Sequence, residues 1–322
     1  MSITAFQIES LHDAAVDKWL SDADSDIATV AYVLGIDPHY LAVQVRLHLP
    51  FYEPRIIAER GSLSVIREIL QRISGRLRKL ASIQKVHCDL NGTSLFGDGA
   101  HLEATRGRLQ VVDACCSDHS VRWSTIPAKF GESIQRDLHY IHSARMDTVL
   151  HAGLILSDHL APFCYASFSD LDREYLANAL VKAVDEPDLL DSHKVAVMTR
   201  AFGYMPAPKN AMSKLFDLSG KELSCRGYSL IITALNPFLG FRGSVFTGSS
   251  FTPFATSPMK YKYDSFGNYL TRRRVGSAEQ SQCMQTPPIV WYVKPLKRSL
   301  RRKLEAEPPK MYAISDEEYS RG

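Results

Sequence analysis

KVAVMTRAFGYMPAPKNAMSKLFDLSGKELSCRGYSLIITALNPF, residues 194–238, is the stretch on which the fold turns. Lys194 to Phe202 is rich in Val and Ala and reads as a strand. The turn GYMPAPKN follows. The apolar period then changes from two to about 3.6, because Met212, Leu215, Phe216 and Leu223 mark one face of a helix from Ala211 to Cys225, and Arg226-Gly227 ends it. Tyr228 to Leu235 is nearly all apolar, as expected of a strand covered on both faces. A strand, a helix and a strand so spaced predict a right-handed crossover between parallel strands.

Working outward, Thr148–Leu156 and Ala161–Phe168 read as two further strands. Ser169 with Asp172 gives an N-terminal signal for a helix through Ala183. Downstream, TALNPFLGFRGSVFTGSSFTPFA (233–255) interleaves glycines and aromatics, a composition that fits a close approach to backbone. A short helix near 243–248 and a strand at Thr252–Ala255 follow from it, and KYKYD, with Tyr261 and Tyr263, is strand-like. The first eighty residues show helical spacing at Leu11–Leu20, Ile27–Leu34 and Leu63–Leu80, while glycine and asparagine between Lys85 and Val112 predict a hairpin. The expectation is an α/β chain. Residues 1–135 form a mostly helical region with a small β hairpin, 136–290 hold a mixed sheet with flanking helices, and 291–322 are a basic, then acidic, tail.

The 322 residues are 45% apolar and 23% charged, with a formal charge of +3, a composition for one large or two modest globular domains. No apolar run is long enough to span a bilayer and the N-terminus lacks a signal-peptide pattern, so a cytoplasmic protein is expected. The six cysteines form no CxxC pair, and neither a disulfide framework nor a metal site is expected from them.

The chemistry points to the turn after the first parallel strand. A strand feeding a turn and a helix directs unpaired N–H groups and the positive helix end at one spot, which suits a phosphate. Pro208 preorganises that turn, Lys209 adds charge, and Asn210 and Ser213 offer hydrogen bonds beside the amide of Ala211. Two parallel strands that part there leave a slot in which an amide-bearing cofactor arm pairs with exposed backbone.

At these residues the chain resembles the GNAT acyltransferase superfamily. Arg200, Asn210 and Ser213 in PKNAMS, Asn236-Pro237, and Gly240 with Gly243 are similar, within it, to the Mom-type bacteriophage enzymes that modify adenine in DNA. The resemblance implies acetyl-CoA or a related acyl-CoA as cofactor, an amine as acceptor, and a DNA nucleobase as one such acceptor. Its implied roles are Arg200 on an anionic group, Ser213 and Asn236 in orientation, and Pro208, Lys209, Asn210, Ala211, Gly240 and Gly243 at the cofactor. Asn236 stands where those enzymes tend to have Asp, and Phe246 where a Tyr is expected; neither can move a proton. Two other readings are open, an N-acetyltransferase of a small metabolite or peptide amine, and a catalytically silent module of the same fold.

Other signals carry less. DIATVAYVLGIDPHYLAVQVRLH (26–48) mimics a helix-turn-helix, but its second half lacks a Lys/Arg cluster, and a plain helical hairpin is the better reading. Cys115-Cys116 beside Asp118 and His119 shows no nucleophile geometry. His139 and His142 share a helical spacing without a third ligand. Arg67, Arg72, Arg76 and Lys79, and the run Lys294, Lys297, Arg298, Arg301, Arg302 and Lys303, are the candidates for phosphate contact.

Overall fold

The computed structural model describes residues 15–34, 38–88, 121–137, 139, 141, 143–156, 162, 164–203, 210–239, 241, 243–266, 269–270 and 280–321. An eight-stranded mixed sheet in the order β1-β2-β3-β4-β5-β7-β6-β8 organises them. Its strands are β1 (Val121–Thr125), β2 (Thr148–Leu156), β3 (Cys164–Asp170), β4 (Lys194–Gly203), β5 (Tyr228–Leu235), β6 (Thr252–Asp264), β7 (Gln280–Pro295) and β8 (Tyr312–Ala313). Pairing is antiparallel from β1 to β4, parallel between β4 and β5, and antiparallel again from β5 through β7 to β6.

The two faces of the sheet are covered differently. The helix Ala211–Cys225 buries Ala211, Leu215, Phe216 and Leu223 against Leu150, Ala152, Ala166, Phe168, Ala196 and Met198. Its spacing of buried residues is that of an amphipathic helix, and complete burial of side chains such as Phe168 and Phe216 contributes about 1.5–3 kcal/mol each. An added Cβ at Gly220 would lie 3.0 Å from Leu296 Cδ2, so this helix lies close against the sheet. The opposite face holds the helices Glu174–Val184 and Arg298–Ala306 over Val195, Val197, Leu230 and Ile232.

That second face also receives the helical N-terminal region. Asp24–Leu34, Pro38–His48, Pro54–Arg60 and Ser62–Cys88 are helices whose core, including Ile27, Leu41, Val45, Ile66 and Ile69, continues into Ile126, Ile155 and Tyr165 of the sheet layer. Tyr165 lies next to Ala166, which faces the Ala211–Cys225 helix, and side chains alternate along a strand. The N-terminal helices therefore cover the other side of β2 and β3.

Several expectations change in detail. The helix after β3 starts at Glu174 with Arg173 as N-cap and no side-chain cap, because Ser169 is buried within β3 and Asp172 pairs instead with Arg145. The strand expected at Thr252–Ala255 runs on to Asp264 and absorbs KYKYD. Position 290 lies inside β7, so residues 291–295 belong to the sheet, and Leu300 and Leu304 of the next helix are buried against it. Residues 85–88 close a helix, and the remainder of the expected hairpin lies outside the described residues. In the helix pair Asp24–Leu34 and Pro38–His48, Gln44 and His48 are buried and Arg46 pairs with Asp17, which fits the hairpin reading.

Candidate functional site

The site is built where β4 and β5 part. Their parallel register runs from Lys194↔Tyr228 to Met198↔Thr233 and stops. Thr233 Oγ1 donates to the Met198 carbonyl at 3.2 Å, closing the last rung. Beyond it β4 keeps pairing with β3, and β5 with β7, but not with each other. The cause lies in β4. Its partners Ser167↔Arg200 and Phe168↔Met198 leave Thr199 as an extra residue opposite β3. Such a bulge bends a strand and raises its twist, so β4 swings away from β5 one residue past their final contact. The backbones of Thr199–Gly203 and of Ala234–Asn236 then flank an open wedge.

The wedge is the throat of a cleft of about 1480 Å³. Met212, Phe216, Gly243 and Phe246 line it from the Ala211–Cys225 side, while His48, Phe51, Tyr52 and Arg72 line it from the N-terminal helices. Ile141, Met146, Phe241 and Val245 are exposed large apolar residues, and all four lie on this cleft. Clustering of exposed apolar groups about a concavity is the mark of a ligand site rather than of chance surface.

The structure gathers some of the sequence candidates here and leaves others elsewhere. Arg200 and Asn236 both line the cleft. Arg200 donates to the carbonyls of Thr199 at 2.7 Å and Ser143 at 3.2 Å, and its charge acts on the Tyr165 phenol. Since Ala201 packs with the Ala211–Cys225 face, Arg200 reaches toward the N-terminal region and not toward that helix's positive end. Asn236 is fixed at both ends: Oδ1 accepts the Phe238 N–H at 3.1 Å, and Nδ2 donates to the Tyr261 hydroxyl at 3.2 Å. Gly243 has φ +73° and borders the cleft, and a Cβ there would sit 2.6 Å from the Tyr292 hydroxyl.

Ser213 is not among the cleft-lining residues; its hydroxyl accepts from Ser249 Oγ at 2.9 Å, tying the helix to the loop after Phe246. Asn210 takes φ 69° at the helix N-cap and makes no side-chain capping bond, so its role is conformational rather than the hydrogen bond expected. Ala211 is buried. Pro208, Lys209 and Gly240 lie outside the described residues, as do Cys115, Cys116, Asp118, His119 and His142. Phe246 stacks among Phe216, Phe251 and Tyr292.

The sequence alone missed a polar network beside the cleft. Arg145 is held by Asp147 and, at 2.8 Å, by Asp172, which keeps the Asp147 carboxyl below its usual range. The Arg145 N–H donates to Gln135 Oε1 at 2.7 Å, and Gln135 Nε2 donates to the Tyr165 hydroxyl at 3.0 Å. Tyr165 in turn meets His151 Nδ1 at 2.6 Å. Burial pushes the Tyr165 phenol up to about 12 and holds the His151 imidazole below its ordinary value, so both stay neutral near pH 7. Two groups pinned neutral at opposite ends of one hydrogen bond tie β2 to β3, and Gln135 ties the helix Ala128–Asp137 to Tyr165; neither ring lines the cleft. Among the described residues no cluster of His, Cys, Asp and Glu could hold a metal ion, and no helix is long and apolar enough to cross a membrane.

No family model matches the chain, and no curated protein matches it in sequence. Among solved structures it is similar to yncA of Salmonella typhimurium, solved with acetyl-CoA, at 10% identity and a TM-score of 0.34, covering 56% of this chain and 96% of that one. It is also similar to a polyamine N-acetyltransferase of Drosophila melanogaster, at 10% identity and a TM-score of 0.34, covering 54% and 99%. Malonyl-CoA decarboxylase of Agrobacterium vitis overlaps 95% of this chain and 98% of its own, at 11% identity and a TM-score of 0.31.

Proposed function

We propose that this chain is a GNAT-type acyltransferase that holds acetyl-CoA or a related acyl-CoA in the wedge between β4 and β5 and passes its acyl group to an amine. The observation that carries the reading is the end of parallel pairing at Met198↔Thr233 with a bulge at Thr199. A wedge of this kind offers backbone N–H and C=O groups to an extended chain that carries amides, as the pantetheine arm of coenzyme A does. The Ala211–Cys225 helix begins beside it, and the positive end of a helix favours the anionic end of such a cofactor.

With the thioester held in the wedge, backbone N–H groups polarise its carbonyl, and the chemistry reduces to presenting a neutral amine and moving one proton. Cofactor and acceptor approach from opposite faces. The Ala211–Cys225 helix lies on one, and the N-terminal helices on the other.

Part of the basic surface is committed internally, while Lys297, Arg298, Arg301 and Arg302 are exposed. Arg67 pairs with Asp26, Arg72 with Glu68 and Lys303 with Glu186, while Lys294 is buried against Asp217. Basic side chains committed to internal partners contribute little to phosphate contact. Calorimetric titration with acetyl-CoA tests the reading: saturable binding and a raised melting temperature are expected, and the absence of both overturns it. Fluorescence anisotropy with a DNA duplex at low and high salt separates the acceptors, with only weak affinity expected.

A further inference from the structure

We infer that the acceptor carries an anionic group, a carboxylate or a phosphate, several methylenes away from its amine, and that Arg173 binds this group at a distance from the wedge. The inference rests on the acyltransferase reading above and names the class of its acceptor.

Charge in the cleft is unbalanced. Among the described lining residues Arg72, Arg145, Arg173 and Arg200 stand against Asp147 and Asp172. Arg145 occupies both carboxylates, donating from Nε to Asp147 Oδ1 at 2.9 Å and from Nη2 to Asp172 Oδ2 at 2.8 Å. Arg72 shares Glu68 with Arg60, one carboxylate between two guanidiniums. Arg200 donates to two backbone carbonyls. The cleft therefore keeps a positive excess, which disfavours a polycation and favours an anion.

Arg173 is where that excess is open to a ligand. It is half-buried, lines the cleft and donates from Nη1 to the Tyr175 hydroxyl at 3.0 Å, with its guanidinium carbon 6.0 Å from the centroid of that ring. Tyr175 is itself buried and packed edge-on against Tyr319, which holds the fork in place. Among the described residues no carboxylate is in ion-pair contact with Arg173; Asp147 feels its charge but is bonded to Arg145. The N–H groups left over form a planar fork that matches two oxygens of one carboxylate or phosphate.

Strand register separates this fork from the reacting end. β3 ends at Asp170, opposite Ala196, two residues before the last rung between β4 and β5 at Met198. At about 3.3 Å per residue that is roughly 7 Å, before the turn to Arg173 is counted. An α-amino acid, whose nitrogen and carboxylate share one carbon, is too short for both ends. The segment from Ser143 to Asp147 lines the cleft over this distance: the Ser143 carbonyl accepts from Arg200, and Arg145 reaches Asp172, the neighbour of Arg173. Its exposed Met146 gives the intervening methylenes an apolar side. Transfer forms the amide C–N bond, breaks the C–S bond and leaves the amine's proton on the departing thiol, so no further reactant is needed.

The test uses the full chain and three pairs of compounds, each with and without the anion: 6-aminohexanoate and 6-aminohexanamide, 2-aminoethyl phosphate and ethanolamine, L-leucine and L-leucinamide. Binding is read by calorimetry without acyl-CoA, and transfer with acetyl-CoA from thiol release. The anionic member of the first or second pair is expected to bind and react at least about tenfold better than its neutral partner, and the pair with the larger ratio identifies carboxylate or phosphate as the group. Arg173→Met is expected to bring that ratio close to one through KM, and Arg173→Lys to leave it intermediate; a merely structural role would lower both members of a pair together. Equal handling within the first two pairs, a preference confined to L-leucine, or an undiminished ratio in Arg173→Met overturns the inference, and the first two of these outcomes need no variant to fold. Absence of acetyl-CoA binding by the unmodified chain overturns the parent reading; acetyl-CoA binding with equal affinity within the first two pairs overturns this inference alone.

Discussion

Thr233 Oγ1 and the Met198 carbonyl, 3.2 Å apart, mark the last place at which the two parallel strands touch. The bond joins side chain to backbone at the apex of a wedge, where no further ladder bond follows. Thr233→Val keeps the shape and removes the donor. It is expected to cost about 1 kcal/mol, read as a lower midpoint in urea with unchanged slope, because one buried carbonyl loses its partner.

Thr199 is the one-residue excess that bends β4. Deleting it restores one-to-one pairing with β3 and leaves Ala201 on its present face. The shortened chain is expected to fold, but with a narrower wedge and acetyl-CoA affinity reduced about tenfold or more by titration. Unchanged affinity would place the cofactor elsewhere.

Gly131 has no room for a side chain. A Cβ there would meet His151 Nδ1 at 2.2 Å, and that nitrogen is held by the Tyr165 hydroxyl. Gly131→Ala is expected to destabilise the chain by about 1–3 kcal/mol in chemical denaturation, through displacement of the buried ring and loss of its hydrogen bond.

His151 makes stability depend on pH. Burial is the larger influence and depresses its folded pKa, with Glu132 opposing. An unfolded histidine titrates near about 6.5, so between the two values the unfolded chain binds more protons. The contribution is complete above that pH and drains away as pH falls toward the folded value. Denaturation midpoints of the unmodified chain should drop more steeply between pH 7 and 5 than those of His151→Gln; parallel curves would contradict this.

Lys294 is buried in β7, bonded to Asp217 and set 5.4 Å from the Phe251 ring centroid. Asp217→Asn leaves that ammonium without its carboxylate. Discounted for the exposure of Asp217, the expected loss is about 1–2 kcal/mol, while Lys294→Met is expected to be tolerated better because no buried charge is stranded. Melting temperatures of the two variants make the comparison.

Legibility followed locality. The helix Ala211–Cys225 and the strand Tyr228–Leu235 have the boundaries their apolar spacing predicts, because a change of period within one short stretch is written in neighbouring residues. The bulge is not written there. MTRAF carries no glycine or proline to flag Thr199, and its excess exists only relative to β3. Asn236 could be singled out from its place before Pro237, but Tyr261, its partner, lies 25 positions further along the chain.

The position of β7 has a consequence for how the molecule is made. This strand of 16 residues is inserted between β5 and β6, both of which precede it in the chain. During synthesis, β5 therefore waits with an unpaired edge until residue 295 has left the ribosome, while the N-terminal helices and β1 to β4 can already be in place. An unpaired apolar edge invites wrong partners. The sheet cannot close between β5 and β6 before β7 is made, and conditions that slow translation beyond β6 should raise the yield of aggregate over that of native protein.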